Sequence, residues 1–166
     1  TWRGAFSIPR ELSLVETPEG LRLSQQPIAE LAILRGNSIS ELNSRNSNSF
    51  ELELEITEGS GVHFFMTDTE RTTLGYHNGR LYLDRTQSGQ IDFQKDFASE
   101  ESVQIASTPP AIKVRVIVDE SIIEVITTDG LYAITDQVFP TAEDSRIEIF
   151  GSVHILQAWE LKPIME

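Results

Sequence analysis

Apolar and polar residues alternate with a period of two along several short stretches, which predicts β-strands. The clearest stretch is 50–57, where Phe, Leu and Ile residues alternate with Glu51, Glu53 and Glu55. A second stretch, 112–118, has Ile or Val at every even position. Alternation of this kind indicates strands with one face in a core and the other face in solvent.

Turn-forming dipeptides separate these stretches. Asn78-Gly79 and Asp129-Gly130 favour the positive φ values of tight hairpin turns. The segment 112–138 is therefore interpreted as three consecutive antiparallel strands, whose apolar face needs a second sheet to cover it.

The whole chain predicts an all-β fold, namely a two-sheet antiparallel β-sandwich of the jelly-roll or lectin-like type. We expect about eleven short strands, and at most one short helix within 28–35. No repeat or internal linker divides residues 1–166, so a single domain is predicted. A long loop follows Asp84, and loops of such length are usually functional or packed against another surface.

Composition excludes several classes of function. The formal net charge of −13 would repel phosphate backbones, so no nucleic-acid partner is expected. The chain has no cysteine, which excludes disulfides and thiolate chemistry. No apolar run is long enough for a membrane span.

The three glutamates of the 50–57 strand are the first candidates for catalysis. Residues two apart on one strand face lie about 7 Å apart, which is within the range of an inverting glycosidase pair. The simpler interpretation is a row of charges on a solvated face, with nothing nearby to hold one of them protonated. We therefore assign no catalytic residue here.

Metal and cofactor sites are not indicated either. His63, His77 and His154 lie on separate predicted strands, and none has a partner at metal-ligand spacing. No phosphate-binding glycine loop, calcium loop or Ser-His-Asp order is present. We therefore expect no catalytic, cofactor-binding or metal-ligating residues in this chain.

Aromatic residues offer one further kind of site. Tyr76, Tyr82 and Trp159 are candidates for stacking on a sugar ring, although aromatics at strand spacing more often pack in the core or across strands.

Several segments, in order along the chain, resemble the C-terminal β-sandwich module of glycoside hydrolase family 32, the levanases, inulinases and invertases. These segments are W-R-G-A-F-S-I-P-R-E-L at 2–12, G-L-R-L at 20–23 with Q-P at 26–27, L-D-R-T-Q-S-G at 83–89, and V-D-E-S at 118–121 leading to D-G at 129–130 and F-P at 139–140.

The resemblance implies a piece of a larger enzyme that releases fructose from β-fructans or sucrose. The family's catalytic motifs, N-D-P-N, R-D-P and E-C, belong to an N-terminal propeller and do not occur in this sequence. Residues 1–10 are then the segment that leaves the missing propeller, and no hydrolysis is expected from this chain alone. The resemblance also favours an extracellular over a cytoplasmic parent.

The resemblance leaves three roles open. The module supports and packs against the catalytic propeller of the same parent chain, it binds β-fructan or fructose as a lectin-like module, or it forms a homo-oligomer. For the first role, Trp2, Phe6, Phe93 and Phe97 are the candidate interdomain contacts, because one group lies at the exit from the propeller and the other lies in the long loop.

Overall fold

The computed structural model describes residues 5–44, 48–142 and 145–163. Among these residues it contains thirteen β-strands and two short 3₁₀ helices, at Ala29–Leu34 and Leu42–Ser44. The strands are β1 (Arg10–Thr17), β2 (Gly20–Pro27), β3 (Arg35–Ser38), β4 (Phe50–Thr57), β5 (Ser60–Met66), β6 (Arg71–His77), β7 (Arg80–Gln87), β8 (Glu100–Gln104), β9 (Ala111–Asp119), β10 (Ile122–Thr127), β11 (Ala133–Gln137), β12 (Arg146–Phe150) and β13 (Val153–Leu161).

The strands form two large antiparallel sheets and a separate hairpin. The six-stranded sheet has the order β11-β10-β9-β4-β13-β3, and the five-stranded sheet has the order β12-β5-β6-β7-β8. Their inner faces share one core, which confirms the predicted all-β sandwich. Its fully buried side chains include Phe50, Leu52, Leu54 and Val116 from the first sheet and Val62, Phe64, Leu74 and Leu81 from the second.

Two details of the prediction need correction. Within 5–44, 48–142 and 145–163 there are thirteen strands, where about eleven were expected, and two short 3₁₀ helices, where at most one helix was expected. The strand β8 lies within the stretch predicted as a long loop, where its exposed Glu-rich sequence shows no alternation. The second helix, Leu42–Ser44, lies in a Ser- and Asn-rich segment without helical periodicity.

The predicted turns and the meander are confirmed. Asn78 and Gly79 have φ values of 51° and 70°, as a tight β6–β7 hairpin requires. The strands β9, β10 and β11 pair consecutively, with Asp119 opposite Ile122 and Ile126 opposite Ala133.

The hairpin β1–β2 is a third layer that is fixed to the β10–β11 turn. The backbone N–H of Gln25 donates to the carbonyl of Gly130 (2.9 Å), and the Ser24 hydroxyl donates to the carbonyl of Asp129 (2.9 Å). The side-chain amide of Gln26 donates to the carbonyl of Thr128 (2.8 Å). A hairpin on its own is marginally stable, so these bonds hold it in place. None of the helices in the described part of the chain is long and apolar enough to cross a membrane.

Candidate functional site

One face of the β1–β2 hairpin is an exposed apolar surface. Leu14 lies opposite Leu23, and Leu12 and Leu21 continue the same face on either side. These four side chains, here called the leucine face, are between 51% and 73% exposed. Isolated exposed leucines are ordinary, but four on one ribbon form a contiguous apolar patch, which makes this face a candidate contact surface.

The polar face of the same hairpin is the one that packs on the sandwich. Ser24 is buried, and Arg22 donates a hydrogen bond to the Tyr132 hydroxyl (2.9 Å) with its guanidinium 4.6 Å from the ring centroid. Strand β2 alternates leucines with polar residues, and its polar residues face inward while its leucines face outward. The hairpin therefore contributes little apolar area to the core of the described structure.

The segment before the hairpin crosses the outer face of β10. The backbone N–H of Ile8 donates to Glu124 Oε1 (2.5 Å), and Arg10 forms an ion pair with Glu124 Oε2. Glu124 is only 2% exposed, although its alternation with Ile123 and Val125 predicts a solvated position. Phe6, in contrast, is 98% exposed. Trp2 lies outside the described residues.

The long loop after β7 contributes an aromatic cluster at the edge of the sandwich. Phe93 and Phe97 have ring centroids 4.5 Å apart, and both contact Phe139, at 5.5 and 5.6 Å. Phe93 remains 62% exposed, whereas Phe97 is half-buried beneath the Arg85 guanidinium at 4.3 Å. The structure thus brings two of the four predicted contact residues together.

A buried acid lies beside this cluster. Burial raises the pKa of Asp136 to about 6, since the opposing effect of Arg85 is smaller and Glu101 adds to the increase. The nearest Asp136 oxygen is 3.4 Å from Arg85 Nη1, so the ion pair is a loose one. Asp136 is therefore a titrating group of the folded chain near neutral pH.

The glutamate row of β4 was predicted to lie on a solvated face, and this prediction is wrong for Glu51. Glu51 is 1% exposed and accepts two hydrogen bonds from Arg35, at 3.0 and 2.6 Å. Arg115 Nε lies 2.5 Å from Glu51 Oε1. Burial alone would raise the pKa of Glu51, but the two guanidinium groups lower it below its usual value. This carboxylate is a structural ion-pair partner and is not available for proton transfer.

Two of the three candidate sugar-stacking residues do not present a free ring. Tyr76 is completely buried, and its hydroxyl donates to the carbonyl of Pro109 (2.7 Å), so it belongs to the core. Trp159 has the Arg35 guanidinium stacked 3.7 Å from its ring centroid. A register shift in β13 places Trp159 opposite Glu51 on the outer face.

Tyr82 differs from these two because it is half-exposed on the outer face of the five-stranded sheet, near His63. His63 accepts or donates one hydrogen bond with Thr73 (2.9 Å), and His77 lies 3.0 Å from Glu58. Among the residues the structure describes, no group of three or more possible ligands could hold a metal ion.

With this geometry established, comparison with known proteins identifies the family. The sequence model described as "Glycosyl hydrolases family 32 C terminal" matches residues 18–160. The chain belongs to this family. The resemblance found in the sequence motifs is therefore confirmed.

Family 32 relatives agree in sequence and in fold. The chain is 34% identical over 187 residues to a levanase of Bacillus sp. (strain L7), covering 94% of this chain and 20% of that protein. It is 30% identical to a levanase of Bacillus subtilis (strain 168), covering 91% and 25%. The exo-inulinase of Aspergillus awamori has the same fold, with a TM-score of 0.80 at 24% identity, covering 96% of this chain and 36% of that one.

The chain thus spans between about a fifth and about a third of the length of these relatives. In them, this module shares a polypeptide with a catalytic domain. Others of its relatives are named extracellular exo-inulinases and sucrose-6-phosphate hydrolases.

Proposed function

We propose that this chain is a non-catalytic support module of a larger enzyme that hydrolyses β-fructans or sucrose. The observation that carries the proposal is the leucine face, an apolar surface on a hairpin whose opposite face is fixed to the sandwich by hydrogen bonds. Its occupant in the proposal is the catalytic propeller of the same parent chain. The names of its levanase and exo-inulinase relatives support the substrate class and an extracellular parent.

Energetics support a contact at this face. Fully burying one leucine side chain contributes about 1.5–3 kcal/mol, and interdomain interfaces within a chain typically bury about 600–1,500 Å². Four leucines that lie more than half exposed would supply the apolar centre of such an interface.

In this proposal, the predicted contact residues extend the same surface. Ile8 contacts Glu124, which pairs with Thr135 of β11. Phe139 lies two residues beyond Gln137, the last residue of that strand. The segment that carries Phe6 and the cluster of Phe93 and Phe97 therefore both adjoin the β10–β11 edge. In the proposal, Phe6, Phe93, Phe97 and Trp2 surround the leucine face. The proposal also takes residues 1–166 as one domain.

The test uses the chain and the separately produced catalytic domain of its parent. We expect the two to bind, and we expect the chain to raise the thermal midpoint of the catalytic domain. The double substitution Leu14→Thr and Leu23→Thr should abolish both effects, whereas Leu156→Thr, a substitution of an exposed leucine on β13, should leave them unchanged. The chain alone should release no sugar from sucrose, levan or inulin.

Other results would favour the alternatives. A homodimer that the double leucine substitution dissociates, together with no binding to the catalytic domain, would replace support by oligomerisation. Sugar release by the chain that depends on one of its own carboxylates would overturn the non-catalytic assignment.

A further inference from the structure

The outer face of the five-stranded sheet carries one continuous cross-strand row with an unusual composition. Phe150 pairs with Gly61, Gly61 with Gly75, Gly75 with Tyr82, and Tyr82 with Ser102. Two adjacent strands thus present glycine where side chains would otherwise stand, and the flanking strands present aromatic rings. A glycine inside a strand weakens the strand unless something approaches the backbone closely.

The rings occupy the space above these glycines. A Cβ atom on Gly75 would overlap the Tyr82 ring, and one on Gly61 would lie 2.6 Å from Phe150 Cζ. His63, in the next row, stacks on Phe150 with ring centroids 4.7 Å apart. The result is a low aromatic floor in the middle of the sheet, within a depression of about 700 Å³.

Polar groups flank this floor on both sides. The row toward one end of the strands contains His77 and Arg80, and the row toward the other end contains Asp84 and Glu100. Arg71 and Thr73 lie at the same end as Asp84, so the depression is lined by both hydrogen-bond donors and acceptors. The Tyr82 hydroxyl has no hydrogen-bond partner within the described ranges, and burial raises its pKa, so it remains a donor.

The balance of charge selects the kind of ligand. The depression has two arginines, Arg71 and Arg80, against two carboxylates, Asp84 and Glu100, in a chain of formal net charge −13. An aromatic floor with balanced donors and acceptors suits a ligand that has C–H faces and many hydroxyls but no charge.

We propose that this face, formed by Tyr82, Phe150 and their polar neighbours, is a binding site for a neutral oligosaccharide chain. The choice of fructan as that chain rests on the function proposed above. The hairpin that carries the leucine face is fixed to the β10–β11 turn of the six-stranded sheet, so the two surfaces lie on different sheets of the sandwich. The same module can then contact the catalytic domain and hold a polymeric substrate at once.

The test is calorimetric titration of the 166-residue chain with levan, inulin and dextran. We expect the fructans to bind, and we expect Tyr82→Ala and Phe150→Ala each to weaken binding about tenfold or more, the size of one lost aromatic contact. Phe93→Ala removes an exposed ring from another surface and should leave binding unchanged. Arg80→Ala removes an exposed donor, so a loss of binding there cannot be attributed to misfolding.

Each outcome decides the proposal. Fructan binding lost in the Tyr82 and Arg80 variants but kept in the Phe93 variant would support it. Dextran binding without fructan binding, with the same variant pattern, would support the surface but contradict the fructan-based function. No binding of any of the three polymers, or binding that the Tyr82 and Arg80 variants leave unchanged, would overturn it.

Discussion

The guanidinium group of Arg35 lies 3.7 Å from the centroid of the Trp159 ring. The same group donates two hydrogen bonds to Glu51, which is 1% exposed. Arg35 and Trp159 thus cover Glu51 on the outer face of β4. The guanidinium group also neutralises a carboxylate whose burial would otherwise cost desolvation energy.

Arg35→Ala should therefore lower the free energy of unfolding by about 3 kcal/mol. The substitution leaves Glu51 buried, with Arg115 as its remaining ion-pair partner among the residues that the structure describes. Urea unfolding at pH 7 measures the change. Lys113→Ala is the control, since Lys113 and Glu55 form an exposed pair at 3.3 Å that contributes less than about 1 kcal/mol. Equal losses in the two variants would contradict a structural role for the Arg35 pair.

Asp136 makes stability fall as the pH rises. The pKa of Asp136 is about 6 in the folded chain, against 3.8 for an ordinary aspartate, which stands for the unfolded chain. Between these two values the folded state holds a proton that the unfolded state has already released. Between about pH 4 and pH 6 the folded chain should lose up to about 3 kcal/mol relative to Asp136→Asn, which does not titrate.

Urea unfolding of both proteins between pH 4 and pH 7.5 gives this difference. Glu51 acts in the opposite direction, since its lowered pKa supplies stability above its unfolded pKa that is lost only as the pH falls through the folded value. Because Glu51 is present in both proteins, its contribution cancels. A difference between the two proteins that does not vary with pH would show that Asp136 titrates normally.

The fold was predictable because its strands carry local signals. Alternation identified β4 and β9, and Asn78-Gly79 and Asp129-Gly130 marked hairpin turns that the structure contains. These signals need no knowledge of which strands become neighbours.

The surfaces were less predictable, because they depend on pairing and on what covers each face. Glu51 and Glu124 alternate with apolar residues as solvated positions do, yet arginines from distant strands bury both. The row that joins Phe150 to Tyr82 exists only through the register of four strands. In the sequence, the one local sign of it was a glycine within each of two strands.

Gly130 fixes the orientation of the hairpin and therefore of the leucine face. Its φ of 72° is nearly that of Gly59, at 76°, so alanine should incur a similar backbone cost of about 1–2 kcal/mol at both positions. At Gly130, however, the new Cβ would overlap the Ser24 hydroxyl, whereas at Gly59 no atom lies within 4 Å.

Gly130→Ala should consequently loosen the hairpin, while Gly59→Ala should not. Hydrogen exchange at the Gln25 amide, which donates to the Gly130 carbonyl, reports on this directly. Exchange there should accelerate in the Gly130 variant alone. If both variants protect that amide equally, the hairpin is held by its other contacts and the orientation of the leucine face does not depend on Gly130.

Phe93 and Phe97 touch each other but should have separable roles. Phe97 is half-buried between Arg85 and Phe139, so Phe97→Ala should lower the free energy of unfolding by about 2 kcal/mol through lost ring contacts.

Phe93 is 62% exposed, and Phe93→Ser should change stability by less than about 1 kcal/mol. Its expected effect is on the proposed interface, where it should weaken binding of the catalytic domain. Thermal unfolding and a binding titration on the same samples separate the two effects. If Phe93→Ser binds the catalytic domain as tightly as the unmodified chain, the proposed contact surface shrinks to the leucine face and its entry segment.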